Sequence, residues 1–106
     1  MAYDGVLASR VRDLVPDARE RSVFGARCWL HDGNLFVGVH DDDLLVRVGD
    51  DPDAADEPGT RPFEPMGAGK PMKGWLLVEP DAVAEDDALS AWVERARAVA
   101  AGLPPK

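Results

Sequence analysis

The sequence predicts an α+β fold: a two-layer sandwich in which an antiparallel sheet of about five strands carries helices packed on one side. Three observations lead there. Residues 23–48 hold three apolar runs separated by tight-turn signals, Asp32-Gly33 and His40-Asp41-Asp42-Asp43. Leu89, Trp92, Val93, Ala96, Val99, Ala100 and Leu103 recur at helical spacing. No helix-length segment separates the β runs, as parallel pairing would require. The 106 residues fit a single domain, 1–106.

The elements follow in order. Residues 4–15 read as a short amphipathic helix, with Leu7, Val11 and Leu14 on its apolar stripe and Pro16 as its stop. Residues 23–48 read as a three-strand meander. Residues 49–60, GDDPDAADEPGT, are an acidic loop with one helical turn around residues 53–56. Residues 61–67 and 72–79 are extended, the second more strongly, with the GAGKP stretch as the turn between them. The final helix is capped by Asp86 or Asp87 and closed by Gly102 and Pro104. The predicted order is α-β-β-β-(α)-β-β-α.

Composition narrows the function classes. The chain has 20 acids against 12 bases, a formal charge of −8. Nucleic-acid binding draws most of its affinity from phosphates neutralised by Lys and Arg, so direct binding to DNA or RNA is disfavoured unless the bases share one face. Cys28 is the only cysteine, which leaves no disulfide within the chain and no cysteine-based zinc site. The segment MAYDGVLASR lacks the pattern of a secretory signal, and no apolar run approaches the ~20 residues of a membrane span. A cytoplasmic protein away from the membrane is the expectation.

The stretch MGAGKPMKGW, residues 66–75, resembles part of a phosphate-binding loop. That loop needs G-x-x-x-x-G-K-[ST] between a strand and a helix. Counting back from Gly69-Lys70, the first glycine falls on Glu64, and the magnesium-binding hydroxyl falls on Pro71. A strand, not a helix, follows. The stretch therefore reads as a glycine-rich turn.

No other constellation carries chemistry. The run His40-Asp41-Asp42-Asp43 lacks the spaced oxygens of a calcium loop and reads as a solvated turn. His31 and His40 sit near opposite ends of one strand. The serines occupy no nucleophile elbow. Cys28 alternates with Ala26 and Leu30 on an apolar face and reads as a small buried hydrophobe. Trp75 and Trp92 read as core anchors where the sheet meets the final helix. No catalytic residue, metal ligand or cofactor is expected.

Arg47, Arg61, Lys70 and Lys73 lie along the β-rich half, either converging on an anion or paired with nearby acids. The binding candidates are Arg47, Arg61, Lys73 and Trp75. They fit a non-enzymatic interaction module with a protein partner, or a small-ligand or anion-binding domain, conceivably a minor enzyme, with a basic cleft beside the sheet. The oligomeric state stays open.

Several stretches, in order and spacing, resemble the TfoX/Sxy N-terminal domain family. They are Val23-Phe24-Gly25, Trp29, Asp32-Gly33-Asn34-Leu35-Phe36, Leu44-Leu45-Val46-Arg47-Val48, Arg61-Pro62-Phe63, Pro71-Met72-Lys73-Gly74-Trp75, Ala91-Trp92 and Leu103-Pro104-Pro105-Lys106. The resemblance implies a two-layer sandwich on an antiparallel sheet and a stand-alone N-terminal domain without the second domain of full-length relatives. It also implies a neighbourhood in the regulation of natural competence, where full-length relatives act alongside the cyclic-AMP receptor protein. It implies no catalytic residues. Ala26 departs from the family pattern, which has a second glycine there.

Overall fold

The computed structural model describes residues 3–23, 25–65 and 67–106. Phe24 of the family resemblance and Met66 of the glycine-rich stretch lie outside them. Helix α1 (Gly5–Leu14) opens on Asp4, whose carboxylate accepts from the Val6 and Leu7 amides and so satisfies two of the donors a helix start leaves free. Its buried stripe is Leu7, Ala8 and Val11, continued by Val15. Leu14, expected on that stripe, is 40% exposed instead. At 100° per residue the row through Leu7 and Val11 continues to Val15, which rotates Leu14 outward.

The strands are β1 (Arg19–Val23), β2 (Ala26–His31), β3 (Asn34–His40), β4 (Asp43–Arg47), β5 (Thr60–Pro62) and β6 (Trp75–Val78). They form a 6-stranded sheet in the order β1-β2-β3-β4-β6-β5, with every neighbouring pair antiparallel. The meander, the short helix α2 (Pro52–Ala55) and the two later strands match the expected order. The sheet gains one strand over the expected five, the polar edge strand β1. Asp32 and Gly33 both hold positive φ, 50° and 83°, the pairing that lets a two-residue hairpin follow the twist of its strands.

Helix α3 (Asp86–Ala101) buries Leu89, Trp92, Val93, Ala96 and Ala100. Its cap position is Glu85, not Asp86 or Asp87, and Glu85 makes no side-chain capping bond. A single 3-10 turn, Pro80–Val83, leads into it. Arg10 of α1 reaches across to the Val83 and Ala84 carbonyls at 2.9 and 3.2 Å and to Asp86 at 3.0 Å, tying the two helices at that junction. Asp86 and Asp87 still serve the first turn, where their charge meets the positive end of the helix dipole.

The helices cover one face of the sheet. Trp29, Val37, Val39, Leu44, Val46 and Val78 project toward them, and with the stripes of α1 and α3 they form the main core. A bulge between β2 and β3 places Phe36 as well as Val37 on that side. The opposite face carries a smaller cluster, Ala26, Cys28, Leu45, Phe63 and Leu77. Ala26, the departure from the family pattern, is buried there with its methyl accommodated.

One charge cluster links α1 to β1 and β2. The Glu20 carboxylate accepts from Arg12 and, at 2.9 Å, from Arg27. These two guanidinium groups outweigh its partial burial and hold it down to about 2 from the usual 4.5. A depressed carboxylate contributes stability above its unfolded value and loses it as the pH falls toward the folded value. Glu20→Gln is therefore expected to destabilise the fold by about 1 kcal/mol at neutral pH. The difference from the parent should shrink below pH 4.5 and vanish near pH 2. Urea melts across that range check it, and a pH-independent difference would exclude the ion pairs as its origin.

Candidate functional site

The glycine-rich turn settles its own reading. The Gly69 amide, which in a phosphate loop would face the ligand, donates to the Glu64 carboxylate. The chain thus supplies its own anion to that turn. The strand β6 follows it, as expected, in place of a helix.

The bases of this half are placed by strand register. Arg61 stands opposite Leu77 on β5, and its guanidinium meets Asp43, with Glu79 at 3.6 Å. Its surroundings are acidic: Asp41, Asp42, Asp43, Glu79 and Asp81 line the groove it borders. Arg47 closes the other end of β4, donates to the Leu35 carbonyl at 3.2 Å, and lies 5.5 Å from the Trp75 ring centroid. The cross-strand pair Arg47↔Trp75 makes that stacking geometry natural, because opposite residues of an antiparallel pair share a face. Lys73 is exposed on the turn that leads into Trp75. The structure brings Arg47 and Trp75 together, with Lys73 beside them in the chain. It sends Arg61 toward a different set of partners.

Trp75 corrects an expectation. Trp92 does anchor the helix-facing core, but Trp75 projects to the opposite face and is only half-buried. Register decides this. Leu76 and Val78 of β6 point into the main core, so Trp75 and Leu77 point away. A tryptophan at the margin of a sheet face, with a cation stacked on it, is a type of group that anchors interfaces.

Around it lies a shallow apolar hollow of about 30 Å³, walled by Val23, Cys28, Leu35, Leu45, Phe63 and Trp75, with Met72 at its mouth. Met72 is 37% exposed, and its amide donates to the Phe63 carbonyl at 2.7 Å, which holds the turn over the sheet. Cys28 forms part of the floor. Burial pushes its thiol up to about 11, so it stays protonated at neutral pH and acts as a small apolar wall.

His31 ends β2 opposite Asn34 at the start of β3, and His40 ends β3, so the two histidines lie apart, as the spacing suggests. Among the described residues, no group of His, Cys, Asp and Glu is arranged to hold a metal ion, and no helix is long and apolar enough to cross a membrane.

Arg19 and Arg21 of β1 carry no distinguishing mark in the sequence, yet register puts them on this same outer face. Arg21 stands opposite Cys28 and Arg19 opposite Leu30. The alternation of RERSV carries that information only once β1 is known to be a strand.

Comparison with known proteins bears on family alone. No curated protein and no solved structure matches the chain. The family model of the TfoX N-terminal domain matches residues 10–100, nearly the whole of the described fold and both edges of the hollow, and the chain therefore belongs to the TfoX N-terminal domain family.

Proposed function

We propose that the chain is a non-enzymatic protein-interaction module, accessory to regulation of the competence type, which works through the outer face of its sheet around Arg47, Lys73 and Trp75. The family supports the regulatory setting. The observation that carries the surface is the half-exposed Trp75, stacked by Arg47 and bordering an apolar hollow on the face opposite the described helices. Ligand pockets run to several hundred Å³. A hollow of about 30 Å³ instead suits one shallow side-chain anchor. An anion cleft built on Arg61 finds no support in geometry, because carboxylates surround that guanidinium.

Affinity capture from a native extract with the full chain, beside Trp75→Ala and Arg47→Ala, tests the reading. The expected result is a stoichiometric protein retained by the parent and lost from both variants. Loss of a central aromatic anchor should weaken binding by about thirtyfold. Recovery of the same proteins by all three chains would sink it. Trp75 is far enough out of the main core that both variants are expected to fold, which circular dichroism verifies.

A further inference from the structure

With one exception, the basic residues divide by location. Arg10, Arg12, Arg27, Arg61, Arg95 and Arg97 each reach a carboxylate. Among the described residues, Arg19, Arg21, Arg47, Lys70, Lys73 and Lys106 do not, and all of these except the C-terminal Lys106, which lies beside the Asp32-Gly33 hairpin, are on the outer sheet face or on the turn bordering it. Three carboxylates share that face or its turn: Arg61 engages Asp43 and Glu79, and Glu64 accepts from the Gly69 amide. A chain of net charge −8 therefore presents one face on which bases outnumber carboxylates, arranged around an apolar centre.

Resting on the interaction-module reading, we propose that the partner of this face is an acidic segment of another protein, with an apolar side chain seated in the hollow and its carboxylates met by Arg19, Arg21 and Lys73. Charge complementarity selects the acid: unpaired guanidinium and ammonium groups gain most from a carboxylate and steer its approach. The walls of the hollow select the anchor, since they are apolar and the Met72 at its mouth can adapt to an aliphatic or aromatic tip. The same features disfavour a polynucleotide. Arg47 already occupies a face of the Trp75 ring, where a base would stack, and the remaining surface repels a long polyanion.

A displayed random-peptide library, selected on the immobilised full chain at low salt, tests the inference. The expected winners carry acids around one apolar residue. The winning peptide, labelled and followed by fluorescence anisotropy, should bind Arg19→Glu/Arg21→Glu roughly tenfold more weakly and should lose affinity as salt rises. Both arginines are exposed on an edge strand, so this variant is expected to keep the fold and to retain its circular dichroism spectrum. Neutral or basic winners, no enrichment at all, or winners indifferent to the charge reversal would overturn the inference. Tighter binding of oligothymidylate than of the winning peptide would overturn it in favour of nucleic acid. Self-association that the charge reversal abolishes would overturn it in favour of a second copy. Failure here with capture still lost in Trp75→Ala removes the acidic partner alone. Failure of both removes the interaction module as well.

Discussion

Trp29→Ala is expected to cost about 4 kcal/mol of stability, a large share of the 5–15 kcal/mol typical of a domain, and to leave much of the protein unfolded at 37 °C. Trp29 is fully buried on the sheet's helix-facing side, one strand in from the edge, paired with Glu20 on one neighbouring strand and Val37 on the other. Truncation removes the indole and leaves a cavity roofed by α3, which the sheet and helix cannot close without giving up contacts elsewhere. The indole Nε1 is buried and finds no hydrogen-bond partner among the described residues. An unmatched donor contributes nothing favourable and carries a desolvation cost. Trp29→Phe should therefore cost less than half as much as Trp29→Ala, through lost volume alone. Urea denaturation of the three chains decides it. Equal losses for Phe and Ala would mean that the indole N–H makes a bond that matters.

What the sequence discloses depends on whether a residue's neighbours in the chain or its neighbours in space set its role. The Asp32-Gly33 hairpin, the meander and the apolar stripe of α3 are local, and they can be read from turn chemistry and apolar period. The strand β1 cannot be read that way. RERSV has no apolar alternation because it lies at an edge, and it is a strand because β2 pairs with it and because Glu20 meets Arg12 and Arg27. The start of α3 moved for a similar reason. Arg10, distant in sequence, donates to the Val83 and Ala84 carbonyls just ahead of the helix and so fixes the chain that enters it, with Asp86 already inside the first turn.

The candidate site shows the same division. Arg47, Lys73 and Trp75 stand out as residue types in an otherwise ordinary β region. Whether Arg47 sits with Trp75 or with Arg61 depends on β4 pairing with β6, a non-local choice that fixes the face of every residue on both strands. That pairing moved Trp75 from the expected helix interface to the outer face. It also carried Arg61 to Asp43 and Glu79, a choice among many nearby acids that composition leaves open.

The outer face is packed through one close approach, and Gly38→Ala is expected to expose it at a cost of about 2 kcal/mol. Gly38 stands opposite Cys28 in the sheet, and a Cβ added there would lie 2.7 Å from the Cys28 Sγ and 3.1 Å from the Arg27 carbonyl oxygen. The sulfur fills the space that the missing side chain leaves. Because the thiol is held neutral by its burial, the conflict is one of volume and not of charge. Cys28→Ala alone removes one buried sulfur and should cost about 1 kcal/mol. The double variant Gly38→Ala/Cys28→Ala should then cost less than the sum of the two by about 1 kcal/mol, since the new methyl takes the place of the sulfur. Rescue stays incomplete because the Arg27 carbonyl remains within 3.1 Å. Additive losses in thermal or urea melts would show that the sulfur is free to move aside. The floor of the hollow would then be soft, and an anchor side chain could deepen it on binding. Strong coupling would instead mean a rigid floor, so that selectivity among partners rests on the mouth formed by Met72 and Trp75 and on the arginines of β1.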